Sequence, residues 1–315
     1  MTGTELAIRT PAAVELEQLK PLWRIYAGMV FKRESGWNPK DQVPRIVYRQ
    51  KRVRIMPGHV AAYRRVCGEG PRDRVPPVYP HILATPLQLN LLDSDDFPLT
   101  LAGLVHIGQA IEWHDALRVD DVVDIECAMN GPHDSEHGWM FRLDTWVRRA
   151  GHVVWKEEIS FLKPDPDRRV RPKRRGKEGD ATRFVPLLHM QFPEDSGRRY
   201  ARVSGDWNPI HLSAFTARRF GFRQPIAHGM YSLARCLAVL EARGVELAGK
   251  RLEAQFRAPV MLPAFSNFSL SNQYPNAIFA LTDARKGRIL VEGKLTDLNS
   301  KSNGQVQQDE ERFSG

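Results

Sequence analysis

Cysteine is scarce in this sequence: 315 residues contain three, Cys67, Cys127 and Cys236. Odd in number, widely separated and without a C-x-x-C pair, they exclude a disulfide framework and a cysteine-built zinc site, and are expected to be reduced, buried thiols. Long apolar runs are missing too. The segment LWRIYAGMVF is too short and too interrupted to span a bilayer, and the leading MTGTELAIRTPAAVELEQLK lacks the basic stretch and apolar stretch that mark an export signal. The expectation is a cytoplasmic protein with no membrane span. Zinc-finger spacing, a helix-turn-helix pattern and aromatic residues interleaved with basic ones are likewise absent, which argues against nucleic acid as a partner.

Apolar residues make up 42% and charged residues 26%, the balance of a globular protein, and the length allows one large core or two ordinary ones. The formal net charge of +9 suits an anionic partner, such as a phosphate-bearing carrier like coenzyme A. Much of the excess sits in KPDPDRRVRPKRRGKEGDATR, Lys163–Arg183, where nine basic side chains accompany four acidic ones. Proline, charge and the lack of apolar periodicity predict a solvated linker. It divides the chain into an N-terminal unit, 1–162, and a C-terminal unit, 184–315, that ends in a flexible tail.

The two sides of this linker resemble each other in sequence order. RIMPGHVAAYRRVCGEG, Arg54–Gly70, lies over MQFPEDSGRRYARVSGD, Met190–Asp206, with Pro57 beside Pro193 and Tyr63 beside Tyr200. YPHILATPLQLNLL then lies over IAHGMYSLARCLAVL. Further on, WMFRLDTWVRRAGHVVWKEEISFL and AIFALTDARKGRILVEGKL each predict two alternating strands around a glycine-containing turn, Arg149–Gly151 and Arg285–Gly287. The segment from Met230 to Arg243 is apolar on nearly every face and stops at Gly244, so it predicts a buried helix. The fold class expected is α+β: two antiparallel sheets, each wrapped around one central buried helix. That is a double hot-dog, a pseudo-dimer within one chain.

The halves differ where chemistry would live. Where the second reads SGDWNPIH, the first reads CGEGPRDR, with Glu69 in place of Asp206 and no histidine to answer His211. The first half is expected to be catalytically silent, with His81 and His106 structural because no acidic companion accompanies them in a matching motif. For the stretch from Asp206 to Gly229, local geometry is the bland reading: Asn208 caps a helix start, Pro209 opens it, and Ser213 caps AFTARRF before Gly221 ends it. Three features go further. Asp206 and His211 flank a tight Asn-Pro bend, which can turn a carboxylate and an imidazole toward one water. AHGM precedes the buried helix, so the Gly229 amide is a free donor at a helix start that favours negative charge. All of this lies within a short stretch of chain.

YARVSGDWNPIH followed by PIAHGM resembles the hydratase motif of MaoC-like dehydratases, the R-specific enoyl-CoA hydratase group of hot-dog proteins. The resemblance is dense over Arg199–Leu240. YPHILATPLQLNLL and FPLTLAGLVHIGQAI resemble the non-catalytic half of two-unit members that act on fatty acyl thioesters. It implies a hydro-lyase that reversibly hydrates trans-2-enoyl thioesters and dehydrates (R)-3-hydroxyacyl thioesters. Asp206 and His211 are then the catalytic pair, and the Gly229 N–H holds the thioester carbonyl, a donor whose loss typically costs about 3 to 4 kcal/mol of barrier. Asn208, His228 and Met230 shape the loop and the substrate site. Some members carry a serine where Leu237 stands here. No metal or redox cofactor is implied; coenzyme A or acyl carrier protein enters as part of the substrate. The first half would accommodate the acyl chain, and the protein would be a monomeric pseudo-dimer or a homodimer. A thioesterase and a non-catalytic acyl-carrier binding subunit are the rival readings.

Overall fold

The computed structural model describes residues 13–29, 45–165, 167–168, 184–271 and 277–298. Its strands follow the alternation of their side chains: in the last strand before the C-terminal hairpins, Leu252 and Ala254 turn inward while Glu253 and Gln255 face water. In chain order the strands are β1 (Val14–Glu15), β2 (Ile46–Arg54), β3 (Val105–Trp113), β4 (Val122–Ser135), β5 (Gly138–Arg149), β6 (His152–Pro164), β7 (Phe184–Phe192), β8 (Lys250–Phe256), β9 (Ala264–Ser271), β10 (Ala277–Asp283) and β11 (Ile289–Asp297). The helices are α1 (Leu22–Met29), α2 (Pro57–Cys67), α3 (Tyr79–Leu92), α4 (Ser196–Ser204), α5 (Ala214–Arg218) and α6 (Gly229–Ala242). Both predicted turns are present. Ala150 and Gly151, at φ 50° and 85°, make the two-residue connection from β5 to β6, and Gly287 at φ 64° lies between β10 and β11.

The strands form one eleven-stranded sheet in the order β1-β2-β4-β5-β6-β3-β8-β11-β10-β9-β7, antiparallel throughout except for β1 on β2. This corrects the expectation of two sheets. Strands β3 and β8 would each end a sheet with a row of unpaired amides, and they satisfy one another, with Ile111 opposite Leu252 and Gln109 opposite Ala254. On the outer face, Arg251 joins the seam to Glu112. Moving outward from it, β3-β6-β5-β4-β2 and β8-β11-β10-β9-β7 use corresponding strands in the same order, so the internal repeat seen in the sequence is a repeat of topology.

Helix α6 begins one residue earlier than predicted, and Gly244 follows it at φ 83°. Leu233, Leu237 and Leu240 are fully buried, and each contributes about 1.5 to 3 kcal/mol through burial. Helix α3 packs on β2, β4 and β5. Its internal Pro86 cannot donate a backbone bond, and Asn90 Nδ2 donates to the Pro86 carbonyl at 2.8 Å. The paired helices α2 and α4 meet, bringing Tyr63 and Tyr200, matched in the two sequence halves, to a ring separation of 6.2 Å. One apolar cluster runs through residues of both halves.

Helix α1 precedes this repeat and is tied down at its start. The Lys20 N–H donates to Asn90 Oδ1 at 2.8 Å, Lys20 Nζ pairs with Asp93 at 3.1 Å, and Ile25 is buried. Most of the predicted linker and the whole predicted tail lie outside the described residues, but Lys163 and Pro164, assigned to the linker from sequence, are the last residues of β6. No helix among the described residues is long and apolar enough to cross a membrane.

Candidate active site

The stretch after α4 turns sharply. Gly205 takes the left-handed conformation, φ 73°, and ends α4, and Asn208 then caps a single 3-10 turn, Pro209–His211, by accepting from Ile210 N. Ser213 caps α5 by accepting from Thr216 N at 3.2 Å. Asp206 and His211 therefore stand on either side of the bend. Gly197 on α4 lets the bend come close: a Cβ there would sit 1.9 Å from the His211 carbonyl oxygen.

The His211 ring is buried, and its Nδ1–H donates to the Ile226 carbonyl at 2.8 Å. That bond fixes the tautomer and leaves Nε2 with the lone pair. Burial, with His228 beside it, lowers the His211 pKa to about 3 against the opposing pull of Asp206 and the Ile226 carbonyl, so the ring is neutral near pH 7. His228 caps α6 by position and stacks on His211, centroids 3.6 Å apart and planes 27° apart. Its Nε2–H donates to the Asp206 backbone carbonyl at 3.0 Å. Burial holds His228 below the ordinary histidine range, although Asp206 favours its charge.

The Asp206 side chain is 35% exposed, so it lies at the edge of the site, where solvent and substrate can reach it. Burial alone would raise its pKa. His228, His211, the Tyr26 hydroxyl and the Asn208 N–H outweigh that effect and hold it below the ordinary aspartate value. Oδ1 accepts from Tyr26 at 2.8 Å and from Asn208 N at 3.1 Å, while Oδ2 lies 3.7 Å from His228 Nε2. One donor atom from each of Asp206, His211 and His228 falls within 4.8 Å of the others. That spacing would suit a metal as well as a shared water. The His228 Nε2–H points at a carbonyl, which leaves the ring's lone pair on Nδ1, an atom without a hydrogen-bond partner.

Gly229 opens α6, so its N–H belongs to the set without an intrahelical acceptor. A Cβ at this position would stand 3.0 Å from the Phe256 ring, and glycine permits that approach. Of the other expected substrate contacts, Asn208 serves the bend, His228 is packed as described, and Met230 is buried in the core.

The corresponding loop of the first half is built differently. The Glu69 side chain is 3% exposed, 3.7 Å from Arg64, with neither carboxyl oxygen hydrogen-bonded. Burial, reinforced by Glu241 and opposed by Arg64 and Arg72, pushes its pKa up to about 8. Arg74 stands where the second half has His211 and pairs with Glu246. His81 has no acidic companion in a matching motif, but β6 supplies one from outside it: Glu157, fully buried, with its Oε1 2.8 Å from His81 Nδ1. Gln88 and Gln109 also donate to this carboxyl, and His106 reaches Gln109 Oε1 at 3.0 Å. Both oxygens of the Glu157 carboxyl are thus engaged within the protein. Tyr26 was also missed, since a tyrosine on a short N-terminal helix carries no sign of its partner.

Comparison with known proteins identifies relatives of this chain. Residues 173–283 match the MaoC like domain family. The 3-hydroxyacyl-thioester dehydratase X of Mycobacterium tuberculosis is 31% identical over 233 residues, spanning 71% of this chain and 79% of the relative. The 3-hydroxybutyryl-CoA dehydratase of Methylorubrum extorquens is 42% identical over 83 residues, 25% of this chain and 52% of that protein. The crystal structure of HtdX from Mycobacterium tuberculosis superposes with a TM-score of 0.70 at 28% identity, covering 80% of this chain and 100% of the other. Likeness to that dehydratase over most of both chains, with the family match falling on the half that holds Asp206 and His211, places this chain in the MaoC-like dehydratase family.

Proposed function

We propose that this protein is a hydro-lyase that dehydrates (R)-3-hydroxyacyl thioesters and, in reverse, hydrates trans-2-enoyl thioesters. The observation that carries the reading is the pairing of an aspartate held below its ordinary pKa with a neutral histidine whose Nε2 lone pair is free, across one tight bend. Its relatives named as dehydratases support the same reaction class. In hydration, Asp206 and His211 bind one water, and the pair takes its proton as the oxygen adds to C3. Charge collects on the thioester oxygen, where the Gly229 N–H stabilises it. Because the one proton of the resting pair, on His211 Nδ1, is committed to the Ile226 carbonyl, the proton that reaches C2 is the one taken from water. Dehydration runs the same steps backward.

The double hot-dog arrangement belongs to this proposal: residues 1–162 form a non-catalytic unit that accommodates the acyl chain, 163–183 link it, and 184–315 form the catalytic unit. The matched strand orders and the two buried helices support it. Coenzyme A or acyl carrier protein bears the acyl group, and nothing in the chemistry requires a metal or redox cofactor. The test is turnover of enoyl-CoA substrates by purified protein, with the hydroxy product's configuration determined. Asp206→Asn and His211→Ala, made separately, are each expected to lower kcat by at least roughly a hundredfold while acyl binding persists. Undiminished kcat in either variant overturns the mechanism, and thiol release from a saturated acyl-CoA without hydration overturns the reaction class.

A further inference from the structure

We propose that Tyr26, from the helix preceding the first half, is a positioning residue for the catalytic carboxylate: its hydroxyl fixes which Asp206 oxygen meets the water. This inference rests on the dehydratase reading given above. Residue 26 stands 180 positions upstream of residue 206, yet its hydroxyl lies 2.8 Å from Asp206 Oδ1. The ring is buried, and α1 reaches the same loop a second time through Leu22, whose Cδ1 is so near Gly205 that a Cβ there would lie 2.5 Å from it. Burial first, and the Asp206 charge second, drive the phenol pKa far upward, so Tyr26 keeps its proton and can only donate to Asp206.

Counting lone pairs gives the consequence. Oδ1 has two, and Tyr26 OH and Asn208 N–H occupy both. The carboxylate is pinned about its χ2 axis, and Oδ2 is the oxygen left near the histidines. A carboxyl held only by Asn208 would have a lone pair free on each oxygen, and could bind the water in either of two places. The groups facing Asp206 are Tyr26 from α1, His211 from the 3-10 turn, His228 at the start of α6, and Tyr200 from α4. Tyr26 is the hydroxyl donor among those that bond it. The half that lacks an acid–imidazole pair in its own loop is thus preceded by a segment that completes the other half's site.

Tyr26→Phe keeps the ring and removes the hydroxyl. A lost hydrogen bond to a charged group is expected to lower kcat roughly tenfold to a hundredfold with KM within about twofold. In an Asp206→Asn background the same change should have no further effect on the residual rate, because Tyr26 acts through the carboxylate. A purely packing role predicts a lower Tm with kcat per folded molecule unchanged, and losses that add across the two variants; either result overturns the proposal. A readout independent of turnover is the Asp206 carboxyl titration, followed by 13C NMR in aspartate-labelled full-length protein. Removing the donor should move it to higher pH, and an unmoved titration refutes the contact. If wild-type protein turned over no thioester while the titration still moved, the functional reading would fall and the Tyr26–Asp206 contact would stand.

Discussion

A residue without a side chain, Gly197 on α4, makes the close approach to the backbone of His211, and substituting it is a severe test of the geometry. In Gly197→Ala the new methyl would sit 1.9 Å from the His211 carbonyl oxygen and 2.9 Å from its carbonyl carbon. Both are main-chain atoms, so no rotamer change relieves the clash. Reaching ordinary contact at 3.4 Å requires α4 and the 3-10 turn to separate by about 1.5 Å. Overpacking of this kind costs about 1 to 3 kcal/mol of stability. The catalytic cost is larger, because His211 moves with its backbone, and a misplacement near 1 Å costs roughly a hundredfold in rate. The assay is steady-state hydration of a short trans-2-enoyl-CoA, followed as loss of enoyl absorbance, with Tm measured on the same samples. Gly58→Ala on α2 is the control: its Cβ would meet nothing within 4 Å, and it should keep kcat and gain about 0.5 to 1 kcal/mol. A Gly197→Ala protein with wild-type kcat and Tm would refute the packing of α4 against His211.

Two further outcomes follow from buried titratable groups. The folded His211 pKa of about 3 lies below its ordinary 6.5, so the unfolded chain binds a proton that the folded one does not; stability should fall by about 1.4 kcal/mol per pH unit for this residue as pH drops below 6.5. His228 and His106, both lowered chiefly by burial, act in the same direction. Glu69, with its pKa pushed up to about 8, acts in the opposite one, so the check is a comparison of His211→Gln with wild type by urea titration at pH 7 and pH 5: the wild type should lose more stability than the variant on going to pH 5, and equal losses contradict neutral burial of His211. In the first half, Glu157→Gln sets an amide against the donors Gln88 and Gln109, which should cost about 1 to 3 kcal/mol in thermal or urea unfolding and leave kcat intact. A large fall in kcat at unchanged stability would mean that this cluster touches substrate.

The bend between Asp206 and His211 was legible because its determinants are local. Asn208 and Pro209 specify a turn by capping chemistry and fixed φ, and a turn of that kind sets the side chains on its two sides near each other, whatever the rest of the fold does. Helix α6 was legible for a similar reason, since an all-round apolar segment has only one place to go. Tyr26 and Glu157 could not be found this way. Their partners come from distant elements, and a period-two or helical pattern assigns a residue to a face without naming what packs on it. The sheet count failed for the same reason: nothing in VHIGQAIEW or KRLEAQF, the sequences of β3 and β8, says that they are neighbours. The linker boundary was set where apolar residues end, at Leu162, whereas backbone pairing of Pro164 with Gly138 carries β6 farther.

The pairing of β3 with β8 has a practical corollary for anyone wishing to divide this enzyme between its two halves. Expressed alone, the C-terminal portion would bare a full-length row of amides along β8 and behave as a sticky fragment, prone to self-association. Supplying the missing portion as a separate polypeptide should cure that, because the matching row on β3 is its natural cover.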